Sequence, residues 1–185
     1  MQRKISSGLF HLPNLYKFSF VILIGVVVFF IGRKEIGDQM VNEAILFIYC
    51  VAKTIYFFSL LFDHIKETAD HQVNYKDILT FIGYNAMLIV TSYAIDYLCL
   101  YEIDKNSFSG ITTHEQFLPH IITFLYFSIA TFSTAGFGDI APTTITARLL
   151  ISAEMMLSWF LTILVIANFS SIRETFRQQT KEDKE

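Results

Sequence analysis

Residues 134–139 read Thr-Ala-Gly-Phe-Gly-Asp, two glycines one residue apart and closed by a single acid, in a chain that is 53% hydrophobic. The chemistry such spacing allows belongs to the backbone. To take up a dehydrated cation such as K+, a narrow passage must replace the ion's hydration shell with oxygens, and backbone carbonyls do so when they face one axis. Successive carbonyls share an axis only where alternate residues adopt unusual dihedrals, some with positive φ, which glycine reaches without a Cβ penalty. Thr134, Ala135, Gly136, Phe137 and Gly138 have that layout. K+ would be held at Thr134, Ala135, Gly136 and Phe137, with the Thr134 hydroxyl as one more oxygen. The side chains of Ala135 and Phe137 would turn away from the axis, and Asp139 would stand at the outer mouth. The competing explanation is a simple turn between two helices, which does not need the apolar run that precedes it.

That run and its neighbours must position the carbonyls. The chain has 185 residues, 16% of them aromatic and 17% charged. A soluble domain would carry about 25% charged residues, and here the apolar residues gather in long blocks, so a lipid bilayer is the expected solvent. With a net charge of −3 and no polybasic field, nucleic acid is not an expected partner. Cys50 and Cys99 both fall inside apolar blocks, so no disulfide framework is expected. Four stretches are near the roughly 20 residues a helix needs to span the hydrocarbon: Leu15–Ile31, Val41–Phe62, Ile78–Tyr101 and Ile145–Phe169. The first follows Arg3 and Lys4 but lacks a small-residue cleavage site, and it is expected to stay as an anchor. A fifth run, Phe117–Thr131, is too short to span and suits a re-entrant half-helix, with Pro119 in its first turn. Non-helical backbone at membrane depth is tolerated only when buried in protein or lining a water-filled path. The expected fold is therefore an all-α membrane protein with four transmembrane helices, a re-entrant pore half-helix and an extended filter strand.

Residues 1–17 form an N-terminal cytoplasmic or interfacial segment in this scheme, and 18–77 two peripheral helices with a cytoplasmic loop. Residues 78–170 form the pore unit, and 171–185 a short cytoplasmic tail. Nine Lys and Arg residues fall on the side of the termini against four on the other, with Lys53 inside a span, so cytoplasmic termini are expected. One filter strand per chain implies a homotetramer with fourfold symmetry. The half-helices would aim their partly negative C-terminal ends at a central cavity and favour a cation there.

The stretch "YFSIATFSTAGFGDIAP" resembles the pore-loop signature of the potassium-channel superfamily, whose usual filter reads Thr-Val-Gly-Tyr-Gly-Asp. The resemblance covers about Ile78 to Phe169 and implies outer helix, pore helix, filter and inner helix in that order. By the same resemblance Thr131 and Thr134 fall on the two threonines of the pattern, Pro142 on its proline, and Arg148 on the arginine that opens the inner helix. Tyr126 and Phe127 occupy positions often filled by tryptophans that support the filter. This chain departs in having Ala135 for valine and Phe137 for tyrosine, which leaves more space behind the filter and no hydroxyl to tie it outward. Filter rigidity is the property those departures touch.

Ionisable residues within spans are functional candidates. Glu154 lies about three turns into the last span and is expected behind the filter or pore helix, where some relatives also carry an acid. Lys53 is expected to snorkel or to meet Asn85, and Asp96 to pair with Arg148 or stand alone at the interface. A single lysine makes no voltage sensor. His64 and His71 are expected in a solvated loop. No glycine occurs from Leu149 to Phe169, so Ser158 stands where many relatives have a hinge, and gating at the filter is favoured over wide bending. Ser158, Thr162, Ile166 and Ser170 recur every four residues as a candidate cavity stripe, with Trp159 beside it; packing through small residues explains the same pattern. The function these features imply is passive K+ conduction in a cell membrane, with K+ as permeant ion, no other cofactor and no enzymatic step. A nonselective cation channel and a non-conducting regulatory subunit are the alternatives.

Overall fold

The computed structural model of the chain describes Gly25 and residues 38–70, 75–112 and 117–167. Their elements are α1 (Gln39–Asp70), α2 (Tyr75–Ile103), β1 (Phe108–Ser109), α3 (Phe117–Phe132), β2 (Ala141–Pro142) and α4 (Ile145–Ala167). Of the first expected span only Gly25 is described; it is helical and buried, and a Cβ there would lie 3.4 Å from the Tyr49 hydroxyl. The remainder of that span, His71, the side chain of His64, Ser170 and the tail 171–185 lie outside the described residues.

Among the described residues three stretches are long and apolar enough to cross a membrane: Gln39–Phe62, Leu79–Ile103 and Ile145–Ile166, of 24, 25 and 22 residues. At 1.5 Å per residue they reach about 33–38 Å, against about 30 Å of hydrocarbon. The chain is a membrane protein. Helices α1 and α2 overrun the expected spans: α1 continues through polar residues to Asp70, because hydropathy marks the lipid-facing part while good helix formers such as Lys66 and Glu67 extend the backbone beyond it. The half-helix is as expected in kind, 16 residues from Phe117 to Phe132, only about 24 Å long.

Helix α2 is the centre of the packing. Its span is 61% buried, against 28% for that of α1 and 33% for that of α4, and it touches all three other helices. Leu88, Leu150 and Leu157 fill the aliphatic part of the core. Toward one end Tyr97, Phe108 and Phe127 meet edge to face at 5.3–5.8 Å, with Phe124 against Phe108 at 5.4 Å. Such ring pairs add about 0.5–1.5 kcal/mol each beyond the area they bury.

Phe108 brings with it a short ladder that the sequence does not announce. β1 pairs antiparallel with β2, Phe108 opposite Pro142 and Ser109 opposite Ala141. Proline, with no N–H to give, is tolerated at such an edge.

The charged residues of the spans pair differently from expectation. Lys53 of α1 forms a buried ion pair with Asp96 of α2, both side chains 1% exposed, and its ammonium lies 4.1 Å from the Tyr93 ring centroid. Lys53 therefore does not meet Asn85, whose amide donates to the Phe81 carbonyl at 2.7 Å, and Asp96 is not held by Arg148. Two spans are linked at membrane depth, where each charge alone would be costly. Asp96→Asn, which leaves Lys53 buried without its counter-charge, is expected to lower stability in detergent by about 3–5 kcal/mol. Replacing both residues, Lys53→Met with Asp96→Leu, should recover most of that loss in the same denaturation measurement.

Candidate functional site

Helix α3 ends at Phe132, and its last carbonyls must find donors. They find them in the segment that follows. The N–H of Ser133 donates to Ile129 O at 2.9 Å, that of Thr134 to Thr131 O at 3.0 Å, and those of Ala135 and Gly136 to Ala130 O at 3.0 and 3.3 Å. The described residues contain no cis peptide bond. In a trans peptide the C=O of one residue opposes the N–H of the next. The carbonyls of Ser133, Thr134 and Ala135 therefore point away from the helix, toward the open side of the chain.

The dihedrals continue the pattern. φ is positive at Thr134 (57°), Gly136 (51°) and Gly138 (78°), and not at the intervening Ala135 and Phe137. Glycine at 136 and 138 meets this demand freely. Thr134 does not, since a β-branched residue at positive φ is an outlier that costs on the order of 1–3 kcal/mol and marks functional sites. Every residue from Ser133 to Gly138 is exposed on the single chain, as is Asp139. A short apolar helix thus caps its own C-terminus with an irregular return strand whose carbonyls accept no backbone hydrogen bond among the described residues.

Around this strand the supporting residues divide. Tyr126 packs its ring against Phe137, centroids 6.1 Å apart and planes 8° from parallel, and its hydroxyl donates to Asp139 Oδ2 at 2.8 Å. That bond, more than desolvation, raises the Tyr126 phenol above its ordinary value. Because the shift is upward, the contact is whole below the usual phenol value of about 10 and is lost only as alkali removes the proton. Tyr126→Phe is expected to keep the fold and to free the Asp139 carboxylate, read at neutral pH as faster hydrogen exchange of amides 137–139. Phe127 departs from expectation: it is buried against Tyr97 and Phe108 and faces α2 rather than the strand, because adjacent positions on a helix diverge by about 100°. Thr131 is buried, and its carbonyl receives the Thr134 N–H.

Glu154, fully buried on α4, accepts the Tyr97 hydroxyl of α2 at 2.5 Å on Oε2. Its Oε1 lies 2.5 Å from Ser128 Oγ of α3. One carboxyl therefore joins three helices, against the half-helix that precedes the strand. Ser128 Oγ also reaches Val90 O at 2.9 Å. A serine hydroxyl has one proton to give, so the four-membered set is complete when a proton on Glu154 Oε1 faces Ser128 and the serine donates to Val90. Tyr97 and Ser128 were not singled out by sequence; the available signal is a lone serine on the apolar face of a half-helix.

Ser158 departs from the expected stripe. It is buried, and its hydroxyl donates to the carbonyl of Phe132, the last residue of α3. Steps of four residues drift by about 40° each on a helix of 3.6 residues per turn, so by Ile166 the row has turned about 80° away from the buried Ser158. The exposed stripe of α4 runs instead through Met156, Trp159, Thr162 and Ile166, with Trp159 and Ile166 each 68% exposed. Thr162 bonds back to Ser158 O at 2.9 Å.

Two spanning helices that flank a half-helix and a return segment have the layout of a pore loop. Residues 86–174 match the family described as "Ion channel". Two-pore potassium channel 4 of Arabidopsis thaliana is 32% identical over 93 residues, which covers 48% of this chain and 31% of that protein. No solved structure matches the chain. Both findings support a place for the segment 86–174 in the potassium-channel superfamily. The chain spans about a third of the length of the relative it matches.

Proposed function

We propose that the chain is a subunit of a K+-selective channel in which four copies bring their Thr134–Gly138 strands around one axis and K+ passes downhill between their carbonyls. The observation that carries this proposal is the alternation of φ along Thr134–Gly138 together with helix-capping N–H groups that turn the carbonyls to the open side. Four strands around one ion would supply the oxygens that replace its hydration shell. The exposed apolar face supports assembly: Leu118, Ile122 and Ile129 of α3 and Trp159 of α4 are each more than half exposed on one chain, and contact with a second copy would cover them. The relative from Arabidopsis is by name a potassium channel, which supports K+ as the ion.

In this assembly Asp139, repeated four times, attracts cations to the outer mouth. Glu154, Thr131 and Tyr126 hold the strand from behind, and Met156, Trp159, Thr162 and Ile166 of α4 face the cavity or the adjoining subunit. The helices before residue 78 are peripheral. The termini are cytoplasmic, in a cell membrane. Conduction needs K+ and no catalytic group.

Liposome flux with the purified chain tests this. Vesicles loaded with K+ should release it and vesicles loaded with Na+ should not, and cross-linking in the same preparation should stop at a tetramer. Equal release of both ions would instead favour a nonselective pore, consistent with Ala135 and Phe137 at the two family positions this chain changes.

A further inference from the structure

Three glycines of the described residues have positive φ, and they differ in their surroundings. A Cβ built on Gly136 or Gly138 meets nothing within 4 Å, so those two serve the dihedral alone. A Cβ on Gly110, with φ at +82°, would lie 1.8 Å from the Asp139 carbonyl oxygen, 2.9 Å from its carbon and 3.3 Å from Ile140 Cα. These are backbone atoms, with no flexible side chain to yield. Gly110 is thus the point where the loop after α2 presses on the peptide that closes the candidate filter.

The loop has the fastenings to transmit such a contact. Thr143, beyond β2, donates its N–H to Ser107 O at 3.0 Å and its hydroxyl to Asn106 O. Ser109 Oγ donates to Ala141 O at 3.3 Å, alongside the β1–β2 ladder. At the root Phe108, 5% exposed, is locked among Tyr97, Phe124 and Phe127. The loop therefore joins the aromatic core between α2 and α3 to the segment 139–143 on both sides of one close backbone approach.

We propose that the loop 104–112 is a splint for the outer end of the carbonyl row, and that Gly110 is a positioning residue which sets where the Asp139 peptide lies and hence how well the outermost ion is held. This inference rests on the K+-channel proposal above. A side chain at 110 must displace the Asp139–Ile140 backbone, which weakens the outermost ion position without touching the subunit core.

Full-length Gly110→Ala in planar bilayers, with Gly83→Ala as control in a helix where a Cβ meets nothing within 4 Å, tests it. Gly110→Ala should raise the external K+ needed to sustain half-maximal current by roughly tenfold, with tetramer yield and melting equal to the control. D-alanine at 110, introduced by semisynthesis, suits a positive φ and points its methyl away from Asp139; it should restore the wild-type value. Gly110→Ala indistinguishable from Gly83→Ala would overturn the proposal, as would equal impairment by D- and L-alanine. Where Gly110→Ala fails to assemble, Phe108→Leu loosens the anchor alone. It should shift K+ dependence in the same direction, and no shift would count against the splint. If the wild-type chain carries no K+-selective current, the channel proposal fails separately, and hydrogen exchange of amides 137–141 decides the splint. Faster exchange in Gly110→Ala supports it, and unchanged exchange overturns it.

Discussion

Gly136→Ala should abolish selective K+ current, by about a thousandfold, while leaving the subunits assembled. The reason is the dihedral and not space, since a Cβ at 136 has no neighbour within 4 Å on the chain and φ there is +51°. For an L-residue the left-handed region costs roughly 1–2 kcal/mol, and a fourfold assembly incurs that cost four times in one ring. About 1.4 kcal/mol is a factor of ten, so the alanine ring is held in the conducting geometry at least a thousandfold less well than the glycine ring. The strand relaxes by turning peptides over, which aims N–H groups where carbonyls stood. Single-channel recording and cross-linking of the same preparation check both halves of the expectation. Wild-type current from Gly136→Ala would mean that conduction does not use the positive φ at this position.

Glu154→Ala should be the most damaging change outside the strand. It removes the carboxyl bonded to both Tyr97 and Ser128 and opens a void where α2, α3 and α4 meet. Hydrogen bonds between helices in membranes contribute about 0.6–1.7 kcal/mol each. With the void the expected loss is roughly 2–4 kcal/mol, read as a lower melting temperature of the assembly and a loss of stable current. Glu154→Gln separates charge from geometry. Its amide oxygen accepts from Tyr97 and its NH2 donates to Ser128, which remains free to donate to Val90. Stability and current near wild type are expected for the amide. If Glu154→Gln were as damaging as Glu154→Ala, a carboxylate charge behind the half-helix would be required, and the hydrogen-bonded set would not explain the residue.

Composition and periodicity carried the architecture, because each of its parts writes a bulk signal. Three spans stand as apolar blocks near the length that hydrocarbon demands, and the half-helix Phe117–Phe132 is a block too short to join them. Gly136 and Gly138 announce themselves because positive φ at alternate residues leaves few side chains to choose from. What could not be read depends on rotation and on long-range approach. Lys53 found Asp96 rather than Asn85 because the facing of α1 against α2 is set by packing along their whole length. Ser158 and Phe127 each sit one residue from a position that stays exposed, Trp159 and Tyr126, and one residue turns a helix by about 100°. Gly110 looks in sequence like any loop glycine. Its contact with the Asp139 carbonyl spans 29 residues of chain, counted from 110 to 139, and leaves no local trace.

The reversal potential of the purified wild-type chain in planar bilayers, with K+ on one side and Na+ on the other, tests K+ selectivity most directly. Carbonyls facing one axis at Thr134–Gly138 require reversal close to the K+ equilibrium potential. Robust current that reverses near zero would show the same architecture passing cations without choosing among them, and would contradict the K+ filter proposed for Thr134–Gly138.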